Sequence, residues 1–322
     1  MAQRRIVSLL PSATEMAFAL GLGEQICGVS HECDYPPEAR SKPAVVRNAL
    51  PLERMSQQEI DAAVAERLRQ GLSLYTIDED LLRRIAPDLI LTQSLCDVCA
   101  PAGNEVSHAL RLLPTPPEIL WMTPKSLAGI FENVRDLATA TGREAAAEAL
   151  IVAARNRLAR VKSLAATAGH RPRVFCMEWI EPVYCSGHWV PEMVDLAGGV
   201  DAIGRSGSDS VRIAWQDVLN WQPEVLLVMP CGFNVDQGVH QAQQMARFPG
   251  WSGLPAVRNG RVYVVDANAF FARPGPRVVD GCELLAHLIH PDLFTWRDRP
   301  TAFHRLDRHL APVADPNLFT AG

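Results

Sequence analysis

Short stretches with the composition of β-strands alternate with helical patterns in two separate parts of the chain. A helix links consecutive strands in parallel sheets, so the alternation predicts an α/β fold. The first part contains predicted strands 5–10, 25–29, 74–77, 88–92 and 119–122, and helices 13–20 and 78–85. The second part contains predicted strands 173–177, 225–228 and 261–265, and helices 190–197, 215–221 and 276–289. Ser12 and Glu15 have the spacing of a capping box for the first of these helices.

A long helical stretch separates the two alternating parts. Helical patterns cover 126–141 and 143–168, and the second would span about 39 Å at 1.5 Å per residue. We therefore predict two Rossmann-like lobes with parallel sheets, joined by a long backbone helix and enclosing a ligand cleft. The predicted domains are an N-terminal lobe (1–122), linking helices (123–169), a C-terminal lobe (170–295) and a tail (296–322).

Composition excludes two classes of partner. The 322 residues are 48% hydrophobic and carry a net charge of −5, with no basic stripe that would favour nucleic acid. No apolar run approaches the roughly 18 residues that a membrane span needs. Arg4 and Arg5 precede an apolar run that resembles a signal peptide, but Pro11 and Glu15 interrupt it. We therefore predict a cytoplasmic protein.

Polar and aromatic residues follow the predicted strands at their carboxyl ends, where open parallel sheets bind ligands. The side chains that we expect to contact a ligand are, in the first lobe, Ser12, His31, Glu32, Tyr35 and Gln93, and, in the second lobe, Glu178, Trp179, Phe270, Phe271 and Arg273. Phe270 and Phe271 are equally compatible with a place in the core.

Four of the eight cysteines follow predicted strands: Cys33, Cys96, Cys99 and Cys231. Thiolates favour zinc, copper(I) or an iron–sulfur cluster, so these four residues are candidate metal ligands if the fold brings them together. Cys96 and Cys99 form the only Cys-x-x-Cys pair in the sequence, which makes the pattern weak. The alternative is that the cysteines are small buried hydrophobic residues.

Several motifs, in order, carry a resemblance that covers about residues 4–292. They are "RIVSLLPSATEMAFALGLGEQICGVS", "DYPPEA", "LLRRIAPDLILTQ", "YCSGHWVPEMVDLAGGVDAI" and "FFARPGPRVVDGCELLAHLI". These segments resemble the vitamin B12-binding protein family and its relatives, the helical-backbone (class III) substrate-binding proteins of ABC importers for corrinoids, haem and iron chelates. The resemblance implies that a macrocycle binds between two lobes and that the protein is not an enzyme.

The resemblance also implies a partner and a changed site. In the family, a surface glutamate on each lobe docks on arginines of the membrane permease. The glutamate of the first lobe matches Glu105. At the position of the second-lobe glutamate this chain has Gln216, with Asp217 beside it. Family aromatics that press on the macrocycle match Glu32, Gln93 and Glu178 in this chain.

Three functions therefore remain open. The first is a protein that binds cobalamin or a related corrinoid, with His31 or a thiol as an axial ligand and Arg273 on a polar side group. The second is a metal-handling protein, a redox protein or an enzyme that holds zinc or an iron–sulfur cluster on the four cysteines. The third is a binding module for a small polar metabolite.

Overall fold

The computed structural model describes residues 3–52, 55–93, 113–296 and 300–313. The chain divides into two compact units, of which unit 1 comprises Met1–Pro124 and Ala128–Val152. Unit 2 comprises Lys125–Leu127 and Ala153–Gly322. The division falls within a long helix, and the domain boundaries at 122, 169 and 295 stay a prediction.

Unit 1 contains one sheet in the order β4-β3-β2-β1-β5-β6. Every neighbouring pair is parallel except β3 and β4. The strands are β1 (Ile6–Ser8), β2 (Ile26–Ser30), β3 (Ala44–Asn48), β4 (Tyr75–Ile77), β5 (Leu89–Thr92) and β6 (Glu118–Trp121). The helices that the structure describes before β6 are α1 (Pro11–Ala19), α2 (Gln57–Arg69) and α3 (Glu79–Ile85). Because β1 lies between β2 and β5, its carboxyl end is the point where the chain's strand order reverses.

The start of α1 differs from the sequence prediction. Leu10 is the N-cap residue, no side chain caps the helix, and Pro11 occupies the first helical position. The predicted capping box of Ser12 and Glu15 is therefore wrong. Proline favours the first helical position because its fixed φ suits the helix and its missing N–H would have had no partner there. Ser12 thus lies inside the first turn of α1.

Two further helices follow β6, and their bounds are α4 (Leu127–Thr141) and α5 (Glu144–Ala165). At the first residue of α4, Leu127 N donates to Glu192 Oε2 at 2.9 Å. Glu144 begins α5 and supplies an acidic residue to its first turn, which is favourable at the positive end of the helix dipole.

Unit 2 contains a second sheet in the order β14-β13-β12-β11-β7-β8. Strands β7, β11 and β12 are parallel, whereas β8, β13 and β14 pair antiparallel. The strands of the unit are β7 (Val174–Trp179), β8 (Tyr184–Cys185), β9 (Gly187–His188), β10 (Arg205–Ser206), β11 (Val225–Val228), β12 (Val262–Val265), β13 (Phe303–Leu306) and β14 (Pro312–Val313). Strands β9 and β10 form a separate two-stranded sheet.

The helices of unit 2 pack on this sheet around an apolar core. Phe175, Met177, Leu226 and Val264 are buried members of that core. The helices are α6 (Val190–Leu196), α7 (Trp215–Trp221), α8 (Val235–Ala242), α9 (Pro255–Arg258), α10 (Ala267–Phe270) and α11 (Val278–Ile289). Among the helices that the structure describes, none has the length and apolar character that a membrane span requires.

Candidate ligand-binding site

The carboxyl ends of β1 and β5 meet beside the first turn of α1. Ser8 lies opposite Leu91 in the register, and Leu9 N donates to Leu91 O at 2.9 Å. Continuing this register places Gln93 beside Leu10, the N-cap residue of α1. Ser12 is 3% exposed and Gln93 is 4% exposed. Two of the predicted ligand residues of unit 1 are therefore brought to one place.

The loop after β2 carries three further predicted ligand residues, His31, Glu32 and Tyr35. His31 Nδ1 lies 3.2 Å from Val46 O, and His31 Nε2 lies 3.8 Å from Glu32 Oε1. Glu32 and Tyr35 are partly exposed, and the Tyr35–Pro36 peptide bond is cis. Because β2 is the neighbour of β1, this loop belongs to the same edge of the sheet as Ser12.

Cys33 is packed rather than open to a ligand. It is 4% exposed, and its Sγ lies 3.1 Å from Thr14 Oγ1. The Thr14 hydroxyl also donates to Ser8 Oγ at 2.8 Å. This environment fits a small buried side chain that closes the space between α1 and the end of β2.

Among the residues that the structure describes, the predicted cysteine metal centre is not assembled. Cys231 is exposed at the end of β11, whereas Cys96, Cys99 and Glu105 lie outside the described residues. Within the described ranges, no group of three or more His, Cys, Asp or Glu side chains is placed to hold a metal ion. The described part of the chain therefore shows no zinc or iron–sulfur site.

An aromatic pair marks the carboxyl edge of the sheet in unit 2. Trp179 ends β7, and Phe233 lies on the loop after the adjacent parallel strand β11. Their ring centroids are 5.7 Å apart, with the planes tilted by 50°. The Trp179 Nε1–H is buried and has no hydrogen-bond acceptor in the described part of the chain. Both residues are partly exposed, so the pair presents aromatic surface at this edge.

Glu178, the neighbour of Trp179, is held by the protein itself. Its Oε1 accepts from Gly187 N at 3.2 Å, and its Oε2 accepts from the Ser210 hydroxyl. Burial raises the pKa of this carboxyl to about 7, and the nearby Asp201 adds to the effect. Because both carboxylate oxygens bind internal donors, Glu178 fastens the segment around Ser210 to the end of β7.

The three predicted residues after β12 have different environments. Phe270 is 1% exposed and packs edge-on against Trp296, at 6.0 Å between centroids. Phe271 is 2% exposed, and its carbonyl accepts from Trp189 Nε1 at 2.9 Å. Arg273 is 9% exposed. The two phenylalanines thus behave as core residues of unit 2.

Sequence reasoning missed Phe233 and Ser210. Phe233 lies on a loop with no periodic pattern, and Ser210 meets Glu178 across 32 positions of sequence. The only local signal for Phe233 is its place a few residues after the apolar run 225–228.

The chain matches the family model described as "Periplasmic binding protein" over residues 6–269. It is 27% identical over 283 residues to a vitamin B12-binding protein of Vibrio cholerae, covering 87% of this chain and 86% of the relative. It is 25% identical over 297 residues to the uncharacterized ABC transporter substrate-binding lipoprotein YvrC of Bacillus subtilis. This match covers 90% of this chain and 81% of that relative.

A solved structure shares the fold. It is the periplasmic vitamin B12 binding protein BtuF of Vibrio cholerae, with a TM-score of 0.65, 24% identity and coverage of 89% of this chain and 97% of that one. The likeness confirms the predicted α/β fold class with two lobes and parallel-rich sheets. The predicted cleft and the individual site residues stay predictions.

The predicted cytoplasmic location is wrong. The matching family model describes periplasmic binding proteins, and the Bacillus subtilis relative is named a lipoprotein. The prediction depended on Pro11 and Glu15, which interrupt the apolar run after Arg5. Pro11 and Glu15 both belong to α1 of the folded domain, so they give no information about targeting.

Proposed function

Since the chain belongs to the periplasmic binding protein family, whose members bind solutes and are not enzymes, we propose that its ligand is a corrinoid of the cobalamin type. At the coarser level the chain is a substrate-binding protein of an ABC transporter for ligands of the B12, haem or iron-chelate class. The observation that carries the corrinoid proposal is the similarity to a vitamin B12-binding protein along 87% of the chain.

The aromatic pair of unit 2 supports a macrocyclic ligand. A corrin ring has a broad apolar face, and aromatic side chains offer large, rigid contact area to such a face. Trp179 and Phe233 supply that area at the strand ends, where open parallel sheets bind their ligands. Binding against this pair also removes apolar ligand surface from water.

The proposed contacts differ from the family pattern in chemistry. Trp179, Phe233 and Tyr35 would contact apolar ligand surface, and His31 would reach the metal as an axial ligand. Arg273 would bind a polar side group. Glu178 and Phe270 are left out of this set because the first is held by internal donors and the second is buried in the core.

An absorbance titration of the full chain tests the proposal. Cyanocobalamin, dicyanocobinamide and haemin are each added to purified protein, and the shift of the ligand's visible bands is followed to saturation. We expect one corrinoid bound per chain with a dissociation constant in the micromolar range or below. Binding of haemin with no response to either corrinoid would replace the corrinoid by a haem ligand.

A further inference from the structure

Two acidic side chains of unit 2, Glu178 and Asp201, are held by adjacent residues of one chain segment. Gly187 N donates to Glu178 Oε1 at 3.2 Å, and the Ser186 hydroxyl donates to Asp201 Oδ2 at 2.9 Å. Asp201 Oδ1 accepts two backbone N–H groups as well. Because Ser186 and Gly187 are buried, the two carboxyl groups are neighbours at the edge of the protein interior.

The surroundings of Glu178 are closely packed. The Ser210 hydroxyl donates to Glu178 Oε2, and a Cβ on Gly187 would come within 2.5 Å of Ser210 N. Cys176 and Cys185 are fully buried. Burial raises the pKa of both thiols, and the charge of Glu178 adds to this effect. The carboxyl of Glu178 is therefore enclosed by neutral groups and by a second acid.

The basic residues around this segment do not balance the charge of Glu178. They are His188, Lys125, Arg205 and Arg212. His188 Nε2 lies 3.0 Å and Lys125 Nζ lies 4.0 Å from Asp209 Oδ1, and the two arginines are exposed. Among the residues that the structure describes, the charged group that acts on Glu178 is the carboxyl of Asp201. Two like charges therefore meet at this place whenever both acids are ionised.

Further loss of water would favour the protonated form of Glu178. Burial and the charge of Asp201 already raise its pKa to about 7, although the hydrogen bonds from Ser210 and Gly187 lower it. Removing a carboxyl from water disfavours its charged form. Glu178 and Trp179 are the last two residues of β7, and both are partly exposed. A ligand that covers Trp179 would remove water from this edge and raise the pKa of Glu178 further.

We infer that ligand binding at Trp179 is linked to protonation of Glu178, so that the protein binds its ligand more tightly below neutral pH, an inference that rests on the proposed function. Glu178 acts through the surroundings of Trp179 and does not itself contact the ligand. The linkage is reciprocal, because a ligand that favours the protonated carboxyl is bound more tightly by the protonated protein. The gain in affinity is fully present below the pKa of the free protein, about 7. It is lost as the pH rises through the higher pKa of the complex.

Isothermal titration calorimetry of the full chain with cyanocobalamin tests this linkage. The cobalt-bound base of this corrinoid does not titrate near neutral pH, so the protein is the source of any pH dependence. We expect the affinity of the wild type to fall by roughly 3- to 10-fold from pH 6 to pH 8.5. Titrations in phosphate and in Tris at pH 7.5 measure the protons that binding takes up, and we expect about half a proton per ligand.

Three variants assign the effect to Glu178. Glu178→Gln keeps the side chain uncharged and should remove this fall in affinity. Histidines also titrate in this range, so the wild type is compared with Glu178→Gln at each pH. Ser210→Ala deletes a hydrogen bond that lowers the pKa of Glu178, so its affinity should fall at a higher pH than that of the wild type. Glu38→Gln, at an exposed position, is the matched control and should keep the wild-type profile. The thermal midpoint of every variant shows that it is folded.

The outcomes distinguish this inference from the proposed function. Identical pH profiles of the wild type and folded Glu178→Gln would overturn the linkage and leave the corrinoid function standing. A folded Ser210→Ala protein whose profile is not displaced to higher pH would do the same. Absence of cyanocobalamin binding to the wild type at every pH would overturn both together.

Discussion

Trp179 and Phe233 lie with their ring centroids 5.7 Å apart at the carboxyl ends of two adjacent parallel strands. Trp179 is the last residue of β7. The second comes from the loop after β11, so the register of these two strands brings the rings together. Glu178, the residue before Trp179, accepts hydrogen bonds from Gly187 N and from the Ser210 hydroxyl. The position of the aromatic pair therefore depends on the packing of unit 2 rather than on local sequence.

Removal of either aromatic ring should weaken ligand binding. Trp179→Ala and Phe233→Ala each delete contact area at the proposed macrocycle surface, and we expect a loss of roughly 10- to 100-fold in affinity for dicyanocobinamide. Trp179→Phe keeps a ring and should retain most of the affinity, since the indole N–H has no acceptor among the described residues. Visible absorbance titration measures all three variants. Equal affinity of Trp179→Ala and the wild type would remove this pair from the site.

Glu178 should make stability depend on pH in a defined window. Its pKa in the folded protein is raised to about 7 from the ordinary 4.5. The protonated carboxyl therefore contributes stability that is fully present below about pH 4.5 and is lost as the pH rises through about 7. Glu178→Gln mimics the neutral form and should be more stable than the wild type at pH 8, by about 2 kcal/mol. The two proteins should be similar at pH 4.

Urea unfolding at pH 4, 6 and 8 measures this difference. The same substitution at Glu38, which is exposed, serves as the control and should leave the pH profile of the wild type intact. A Glu178→Gln protein that is less stable than the wild type at pH 8 would show that the charged form is the one the fold favours.

The regular parts of the fold could be predicted from sequence because their signals are local. The buried strand Val225–Val228 has the predicted bounds, because an uninterrupted apolar run that ends at Met229 and Pro230 is typical of a buried parallel strand. The predicted strand 5–10 is shorter in the structure, Ile6–Ser8. Helix α1 begins at Pro11 with Leu10 as its N-cap residue, so the strand ends before these residues.

Elements without an apolar stripe were missed. Helix α2 was not predicted because only Gln57 is buried among its 13 residues, so its sequence has little hydrophobic periodicity. The start of the helix is marked instead by the capping box of Ser56 and Glu59, a signal that is visible in the sequence without any apolar periodicity. Strand β3 was missed as well, although Val45 and Val46 are buried in it.

The candidate site was predictable only in part. The rule that ligands bind at strand ends drew attention to Trp179, Ser12 and Gln93, which lie at the carboxyl edges of their sheets, and their contact with a ligand stays a prediction. It could not show that Glu178 is satisfied internally, because its partners Gly187 and Ser210 are 9 and 32 positions away. The same rule could not show that Phe270 is a core residue rather than a ligand contact. The burial of Phe270 depends on Trp296 and on the rest of unit 2.

Gly281 should be intolerant of a side chain. A Cβ there would clash with Phe270 O and come within 2.9 Å of Met193 Cε, where α11 packs against α10 and α6. Alanine in place of glycine stabilises a helix by about 1 kcal/mol. The clash should outweigh this gain and lower the free energy of unfolding by about 1–3 kcal/mol. Gly253→Ala meets no atom within 4 Å and is the control. Urea unfolding that shows Gly281→Ala to be as stable as the control would contradict the close packing of these helices.

Arg157 on α5 should stabilise unit 2 through two carboxylates of α11. Its guanidinium donates to Glu283 Oε1 at 2.9 Å and to Asp280 Oδ1 at 2.6 Å. Its side chain is 41% exposed, so solvent screening limits the gain, and we expect Arg157→Met to lower the free energy of unfolding by about 1 kcal/mol. The loss should shrink in 1 M salt, which screens the charges.

Arg160→Met is the matched control for this ion-pair prediction. Arg160 lies on the same helix, is exposed, and makes no ion pair with the residues that the structure describes. Both variants remove one positive charge and add the same apolar side chain, so the difference between them isolates the two carboxylate partners. Urea unfolding at 0.05 M and 1 M salt should separate Arg157→Met from the control at low salt and bring the two together at high salt. A loss of equal size in both variants at low salt would mean that α5 is held on α11 by apolar packing alone, with no measurable contribution from Asp280 and Glu283.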